Sequence, residues 1–402
     1  MRRRLPALDV MDHRAPHQGG ARGQGRDRWD MIGYRDRALV NQIVQRLKER
    51  DLHMRLMHVC GTHQDTLVRY GLDRLLGGVG VDIRQGPGCP VCVTTPHEIE
   101  EAITLARKGV VVATFGDMFR VPGVTGSLSD MRAEGSDVKI VYGIEDALSI
   151  ARRRSEEEVV WMAIGFETTA PSTAYVLANE PPPNFSVLCC HRLIPPAMEA
   201  ILKGGEIRLD GFIDPGHVSV IIGCRPYESL SKRYGIPQVI AGFEPLDVMM
   251  AVYMIASQIE RGEGIVENEY TRTVTYEGNK KALSLMREVF EPQDVRWRGF
   301  PSIPASGLGI RSRYGVWDAR KRWEDDLADV EEGEEPPGCR CGDVLRGLVE
   351  PEDCGLFGTR CTPLNPVGPC MVSGEGSCNI LYRYGRSLRG ETARSREDIS
   401  LS

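Results

Sequence analysis

Short apolar runs spaced along residues 31–265 constrain this chain most. "RLMHV" (55–59), "VVVATFG" (110–116), "VKIVYG" (138–143), "VVWMAIGF" (159–166), "FSVLCC" (185–190), "VSVIIG" (218–223) and "PQVIAGF" (237–243) are short, rich in β-branched residues and apolar on both faces, as buried parallel strands are. Between them lie segments of helical spacing, such as "PHEIEEAITLARKG" (96–109) and "PLDVMMAVYMIASQIERG" (245–262), the second ending at a glycine stop. Strands alternating with helices predict βαβ units and an α/β fold. No Walker P-loop and no GxGxxG follows any run, so no nucleotide motif is present.

A faint internal echo accompanies the pattern. "MHVCGTHQDTL" (57–67) resembles "MAIGFETTAPST" (162–173), and "VYGIEDAL" (141–148) resembles "IAGFEPLDVM" (240–249). The simplest reading is two similar Rossmann-like parallel-sheet domains facing a cleft, residues 31–155 and 156–265, divided at the charged "RRRSEEE". Residues 1–30, rich in Gly, Arg, Asp and His without periodicity, read as a disordered extension, with Met31 as an alternative start. Residues 266–386 change character: "GFPSIPASGLG", the acidic linker "EDDLADVEEGEEPPG", then a cysteine-rich segment. A polar tail (387–402) closes the chain.

Net charge is −6, so no global basic field recruits nucleic acid or an anionic membrane. No apolar stretch approaches the roughly 20 residues that span a bilayer. The arginine-rich start has no apolar segment behind it and is not a secretory signal. A cytoplasmic location is the expected default. In that reducing compartment twelve cysteines imply metal or redox chemistry before a disulfide framework.

Six of them, Cys339, Cys341, Cys354, Cys361, Cys370 and Cys378, crowd the segment "CRCGDVLRGLVEPEDCGLFGTRCTPLNPVGPCMVSGEGSC". Structural zinc usually takes four thiolates from two CxxC knuckles, and no CxxC occurs here. An iron–sulfur cluster accepts wider spacing and takes four thiolates. That leaves two over, which suggests a dithiol/disulfide pair exchanging electrons with the cluster.

"GPGCPVC" (86–92) supplies the CxxC pair Cys89 and Cys92 just before a predicted helix start at "TTPHEIEEA", where a helix N-terminus makes a thiolate available. A half-knuckle without its partner pair is the other reading. Cys60 in "MHVCGTH" sits at a predicted strand end, where open α/β sheets place ligand sites. His63 is spaced to assist its deprotonation or to bind metal; a structural histidine is the alternative. Cys189, Cys190 and Cys224 lie on or beside apolar runs and read as buried thiols. Glu167, Thr168 and Thr169 of "GFETTAP" and His217 of "DPGHVSVIIG" follow strands and are candidates to line the cleft; helix capping is the alternative.

Taken together, "CGTHQDT", "GPGCPVCVTTPHEI", "TFGDMFRVPG", "GFETTAPSTA", "GFIDPGHVSVIIG" and "CRCGDVLRG…GPCMVSGEGSC", in this order over residues 35 to 386, resemble the HypD family of hydrogenase maturation factors. The resemblance implies a scaffold for the Fe(CN)2CO group of [NiFe]-hydrogenases. It implies a HypC-type chaperone, a HypE-type cyanide donor and a resident [4Fe–4S] cluster in a domain similar to that of ferredoxin-thioredoxin reductase. It makes Cys60, Cys89 and Cys92 the central cysteines around the iron under assembly, with Cys60 a ligand. Within the tail the expected cluster ligands are Cys339, Cys354, Cys361 and Cys378, and the expected redox pair is Cys341 and Cys370. CPVC is expected to relay between the cluster side and Cys60. Such a protein is a metallocentre-assembly scaffold with redox activity rather than a simple turnover enzyme. A cluster-dependent thiol/disulfide oxidoreductase acting on other proteins is the alternative, and a metal-binding interaction module without redox work is a further one.

Overall fold

The computed structural model describes residues 35–385; the expectations for 1–30, Met31 and 387–402 lie outside them. The fold is α/β, with two parallel sheets. One has the order β2-β1-β7-β8-β9, from β1 (Met54–His58), β2 (Val81–Gln85), β7 (Gly211–Pro215), β8 (Gln238–Ala241) and β9 (Val266–Asn268). The other has the order β4-β3-β5-β6, from β3 (Val111–Thr114), β4 (Val138–Ile140), β5 (Val159–Gly165) and β6 (Phe185–His191). An antiparallel hairpin of β10 (Phe290–Arg296) and β11 (Ser302–Ile310) follows. β5 and β6 are buried at every position, as their unbroken apolar runs require between two helical layers.

The sheets are not sequential halves. The chain builds β1 and β2, leaves to complete the whole second sheet, and returns for β7, β8 and β9. The expected boundary at 155 falls between β4 and β5 of one sheet. The echoed segments divide the same way: β1 and β8 belong to the first sheet, β5 and β4 to the second. Each echoed pair thus has one member in each sheet, as two similar sheet domains require, although the sheets interleave along the chain. Of the segment expected to begin the last domain, β9 completes the first sheet, and helix Lys280–Val289 packs on helix Ala170–Ala178 beside the second.

The sequence reading names neither β9 nor the β10–β11 hairpin, and it differs at two places before them. "VSVIIG" (218–223) is not a strand: helix Gly216–Ile222 covers it, and the strand is the preceding "GFIDP". An apolar run without periodicity does not distinguish a buried helix from a buried strand. The polar edge strand "VDIRQ" of β2 has no apolar run and was not expected.

One apolar core joins both sheets and the cysteine-rich segment: Met57 and Phe212 from the first sheet, Val112 and Val160 from the second, and Cys89, Cys341 and Cys370. Among the described residues no helix is long and apolar enough to cross a membrane.

Candidate functional site

Cys60 lies just past β1, with extended backbone at the N-cap of helix Gly61–Arg69. Two loops close on the backbone of Cys60 and Gly61. A Cβ at Gly88 would stand 2.1 Å from the Cys60 nitrogen, and the Gly61 amide donates to the Gly88 carbonyl at 3.2 Å. A Cβ at Gly61 would stand 2.6 Å from Cβ of Glu375. The "GPGCP" and "GEGSC" loops thus close on the Cys60–Gly61 backbone. Burial pushes the Cys60 thiol up to about 11; the His63 amide opposes this, and the Glu375 carboxylate adds to it.

His63 does not act on Cys60 as a cation. Its ring is buried, Nε2 bonds the Gly242 carbonyl at 2.8 Å, and burial lowers its pKa to about 3. The ring is therefore neutral, with its proton on Nε2; what favours the thiolate is the His63 backbone amide. His58 is held similarly, Nε2 to Gln64 Oε1 at 2.8 Å, and lowered to about 4 by burial. Phe243 stacks between His63 (5.0 Å between centroids) and His217 (3.8 Å). His217 thus joins the Cys60 side as an exposed ring.

Glu167, Thr168 and Thr169 form a separate loop after β5. The Glu167 carboxylate, buried and pushed up to about 8 by that burial, accepts the Ile194 amide at 3.1 Å, at the start of helix Ile194–Gly204. The Thr169 hydroxyl donates to the Phe166 carbonyl at 3.2 Å, and Thr168 is exposed. Glu167 and Thr169 make capping and turn contacts, the alternative weighed for them.

Cys89 and Cys92 are joined by a disulfide, with Cα atoms 5.2 Å apart. Neither is exposed. They lie just before the helix expected at "TTPHEIEEA". They ride a separate turn, Pro90–Val93, while Thr95 caps helix Pro96–Arg107 in a capping box with Glu98. Buried guanidiniums brace this junction: Arg192 on Glu98 at 2.6 Å, and Arg298 donating to the Thr94 carbonyl at 3.0 Å. The turn packs against helices Cys341–Leu345 and Pro369–Val372, which carry Cys341 and Cys370.

The six tail thiols converge. Cys339, Cys341, Cys354, Cys361 and Cys378 line one small cavity with apolar neighbours such as Leu356 and Met371. Cys370, fully buried, lies beside it; its sulfur accepts the Cys378 amide at 3.4 Å. Hydrogen bonds from the Cys341 and Cys378 thiols pull Cys370 well below the ordinary thiol range, and the same contacts push Cys378 up. Cys341 likewise raises Cys339. Among the described residues no three His, Cys, Asp or Glu side chains make a single-ion site; the thiols ring a space instead. An all-sulfur donor set around an apolar cavity fits an iron–sulfur cluster.

Two acids had no role in the sequence reading. Asp117, after β3, accepts from the Ser373 hydroxyl (3.0 Å) and the Gly374 amide (3.1 Å), while Gln64, after β1, donates to the Ser377 hydroxyl (3.1 Å). The loop between Cys370 and Cys378 is thus tied to strand ends of both sheets, with Glu375 over Gly61. Both lie inside quoted motifs, Asp117 in "TFGDMFRVPG" just after a strand and Glu375 between glycines in "GPCMVSGEGSC".

The arrangement defines a class: an α/β protein of two parallel sheets whose strand ends and a cysteine-rich segment gather three groups of sulfur. The HypD family model, described as "Hydrogenase formation hypA family", matches residues 36–385, and the chain belongs to that family. It is 48% identical over 362 residues to a putative hydrogenase expression/formation protein of Methanocaldococcus jannaschii, covering 89% of this chain and 100% of that one. It is 46% identical to the hydrogenase maturation factor HypD of Cupriavidus necator (82% and 89% covered) and 43% identical to that of Rhodobacter capsulatus (85% and 92%).

Proposed function

We propose that this hydrogenase maturation factor is the scaffold on which the Fe(CN)2CO group is put together, in the cytoplasm, with a HypC-type chaperone and a HypE-type cyanide donor. The observation that carries this reading is the packing of the Cys89–Cys92 turn. Its loop presses on Cys60 on one side, and its helix packs on those of Cys341 and Cys370 on the other.

The iron is cargo. Cys60 is its ligand on this chain, a soft donor suited to iron that carries cyanide and CO, and loop 373–377 keeps the position dry. Deprotonating so buried a thiol is costly, and the cation it then binds offsets that cost. Cys339, Cys354, Cys361 and Cys378 would hold the resident [4Fe–4S] cluster, which when bound supplies electrons one at a time. Cys341 and Cys370 are the dithiol beside it. Opening Cys89–Cys92 takes two electrons and two protons. A dithiol at Cys341 and Cys370 gives both by thiol–disulfide exchange and is left as a disulfide. The alternative, reduction of disulfides in other proteins, is disfavoured by the complete burial of Cys89 and Cys92.

Anaerobic co-purification with the HypC-type partner, followed by infrared spectroscopy, tests the reading. Cyanide and CO stretches are expected with the wild type and absent with Cys60→Ala. Cys89→Ala and Cys92→Ala are expected to bind the partner and stop maturation. Intact stretches in Cys60→Ala would remove Cys60 as the ligand.

A further inference from the structure

The turn that joins β10 to β11 stands between two of the sulfur groups. On one side it is bonded to the residues that follow Cys92. The Arg298 amide donates to the Val93 carbonyl at 2.9 Å, and Arg298 Nε donates to the Thr94 carbonyl at 3.0 Å. On the other side Gly299, with φ at +78°, meets Gly342, the residue after Cys341; a Cβ at Gly299 would stand 2.3 Å from the Gly342 Cα. The turn itself is anchored. The Trp297 indole donates to the Ser306 hydroxyl at 2.9 Å, and Arg192 Nη2 donates to the Arg296 carbonyl at 3.0 Å.

The Cys89–Cys92 turn needs such a support. Its helix, Pro90–Val93, has four residues, and so short a helix does not hold its own direction. The Thr94 hydroxyl closes it locally, on the Pro90 carbonyl at 2.9 Å. The carbonyls at its end, Val93 and Thr94, take their donors from Arg298. The Arg298 side chain is wholly buried; Nη1 bonds Glu335 at 2.7 Å, and Nη2 has no hydrogen-bond partner among the described residues. Taking an incompletely paired guanidinium out of water costs stability, and an apolar side chain would fill the space at less cost. What the guanidinium adds is direction: its rigid fork fixes the Thr94 carbonyl and the Glu335 carboxylate at once.

We infer, on the redox reading proposed above, that Arg298 is a positioning residue for thiol–disulfide exchange, holding the Cys89–Cys92 bond in register with the Cys341 thiol. In that exchange the Cys89–Cys92 bond breaks, a Cys341–Cys370 bond forms, and two electrons and two protons pass from the second pair to the first. Arg298 supplies neither electron nor proton. It fixes the approach of the sulfurs, and a misplacement of about 1 Å at such a step costs up to about a hundredfold in rate.

Anaerobic quench-flow on the reconstituted full chain tests this. Protein oxidised at both pairs receives two reducing equivalents from dithionite, is acid-quenched and alkylated, and mass spectrometry follows the free thiols of each pair with time. In the wild type, thiols are expected first at Cys341 and Cys370 and then at Cys89 and Cys92. Arg298→Lys, whose single ammonium does not span both acceptors, is expected to leave the first phase unchanged and to slow the second about fivefold or more. A purely structural role would instead loosen the turn, so that added dithiothreitol reduces Cys89–Cys92 faster while internal transfer keeps its rate. Glu335→Gln, at a part-exposed position, leaves the buried arginine in place with a weaker tether and is expected to slow the second phase about twofold; it carries the test if Arg298→Lys does not fold. An unchanged second phase in the variant that folds overturns the inference alone. Absence of transfer in the wild type overturns the redox reading and the inference with it, so the wild-type trace tells the two failures apart.

Discussion

Cys60 stands at the end of a strand with the Gly88 backbone pressed against it and the Glu375 loop against its neighbour Gly61, whereas Cys370 stands among other thiols. The first position is fixed by sheet registry and close backbone approach, and its pKa is governed by burial. The second is fixed by short turns strung between glycines and prolines, and hydrogen bonds from neighbouring thiols outweigh burial. A sheet end places one donor accurately with few residues. A thiol-lined cavity needs several sulfurs to define one another, so its geometry and any cluster it holds depend on all of them. The two regions are therefore expected to fail differently.

The largest difference concerns metal content. Anaerobically reconstituted protein is expected to carry about four irons and four sulfides per chain in the tail segment. Cys354→Ser should lose them, and Cys60→Ala should keep them with its fold intact. Iron and sulfide analysis with the visible absorption spectrum checks this. Full content in Cys354→Ser removes that residue from the ligand set, and loss in Cys60→Ala makes Cys60 structural or a cluster ligand.

A second contrast is steric. At Gly88 a methyl group meets the Cys60 backbone, which no rotamer change relieves, so Gly88→Ala is expected to cost about 3 kcal/mol. At Gly355 nothing among the described residues lies within 4 Å of an added Cβ, and Gly355→Ala in the cysteine-rich segment should stay within about 0.5 kcal/mol of wild type. Urea unfolding of both variants measures the pair. Equal effects would mean that the Cys60 loop gives way as readily as the tail segment.

The same division explains what was legible in the sequence. The parallel strands β3, β5, β6 and β8 announce themselves as apolar runs, and the cysteines as motifs. The interleaving of the sheets was hidden, because which strand pairs with which is set by contacts far apart in sequence. β7 was hidden because "GFIDP" is flanked by a more apolar segment that is helical. The convergence of the six thiols was inferred from density alone; that Cys341 lines the cavity while Cys370 lies beside it is tertiary information. Spacing also does not show that the His63 ring bonds the Gly242 carbonyl or that the Glu167 carboxyl accepts the Ile194 amide. Asp117, in the turn after β3, and Glu375, between two glycines, carry no local signal of what they hold.

The smallest expected effect belongs to Glu167, a buried carboxyl on the sheet side that serves helix Ile194–Gly204 rather than the sulfur sites. Its folded pKa is raised to about 8 from 4.5, and burial is the main cause. The native state therefore holds this proton more tightly than the unfolded chain. The corresponding stability is fully present below about pH 4.5 and is lost progressively as pH rises towards about 8. Gln keeps the acceptor for the Ile194 amide and has no charge to bury. Glu167→Gln should thus match the wild type near pH 4 and exceed it at pH 8 to 9, by roughly 1–3 kcal/mol. Urea unfolding at the two pH values measures the difference, and a gain that does not grow with pH would show that Glu167 is already ionised in the folded protein. Metal content should be unchanged in this variant at both pH values; a loss would tie the β5 loop to the sulfur sites.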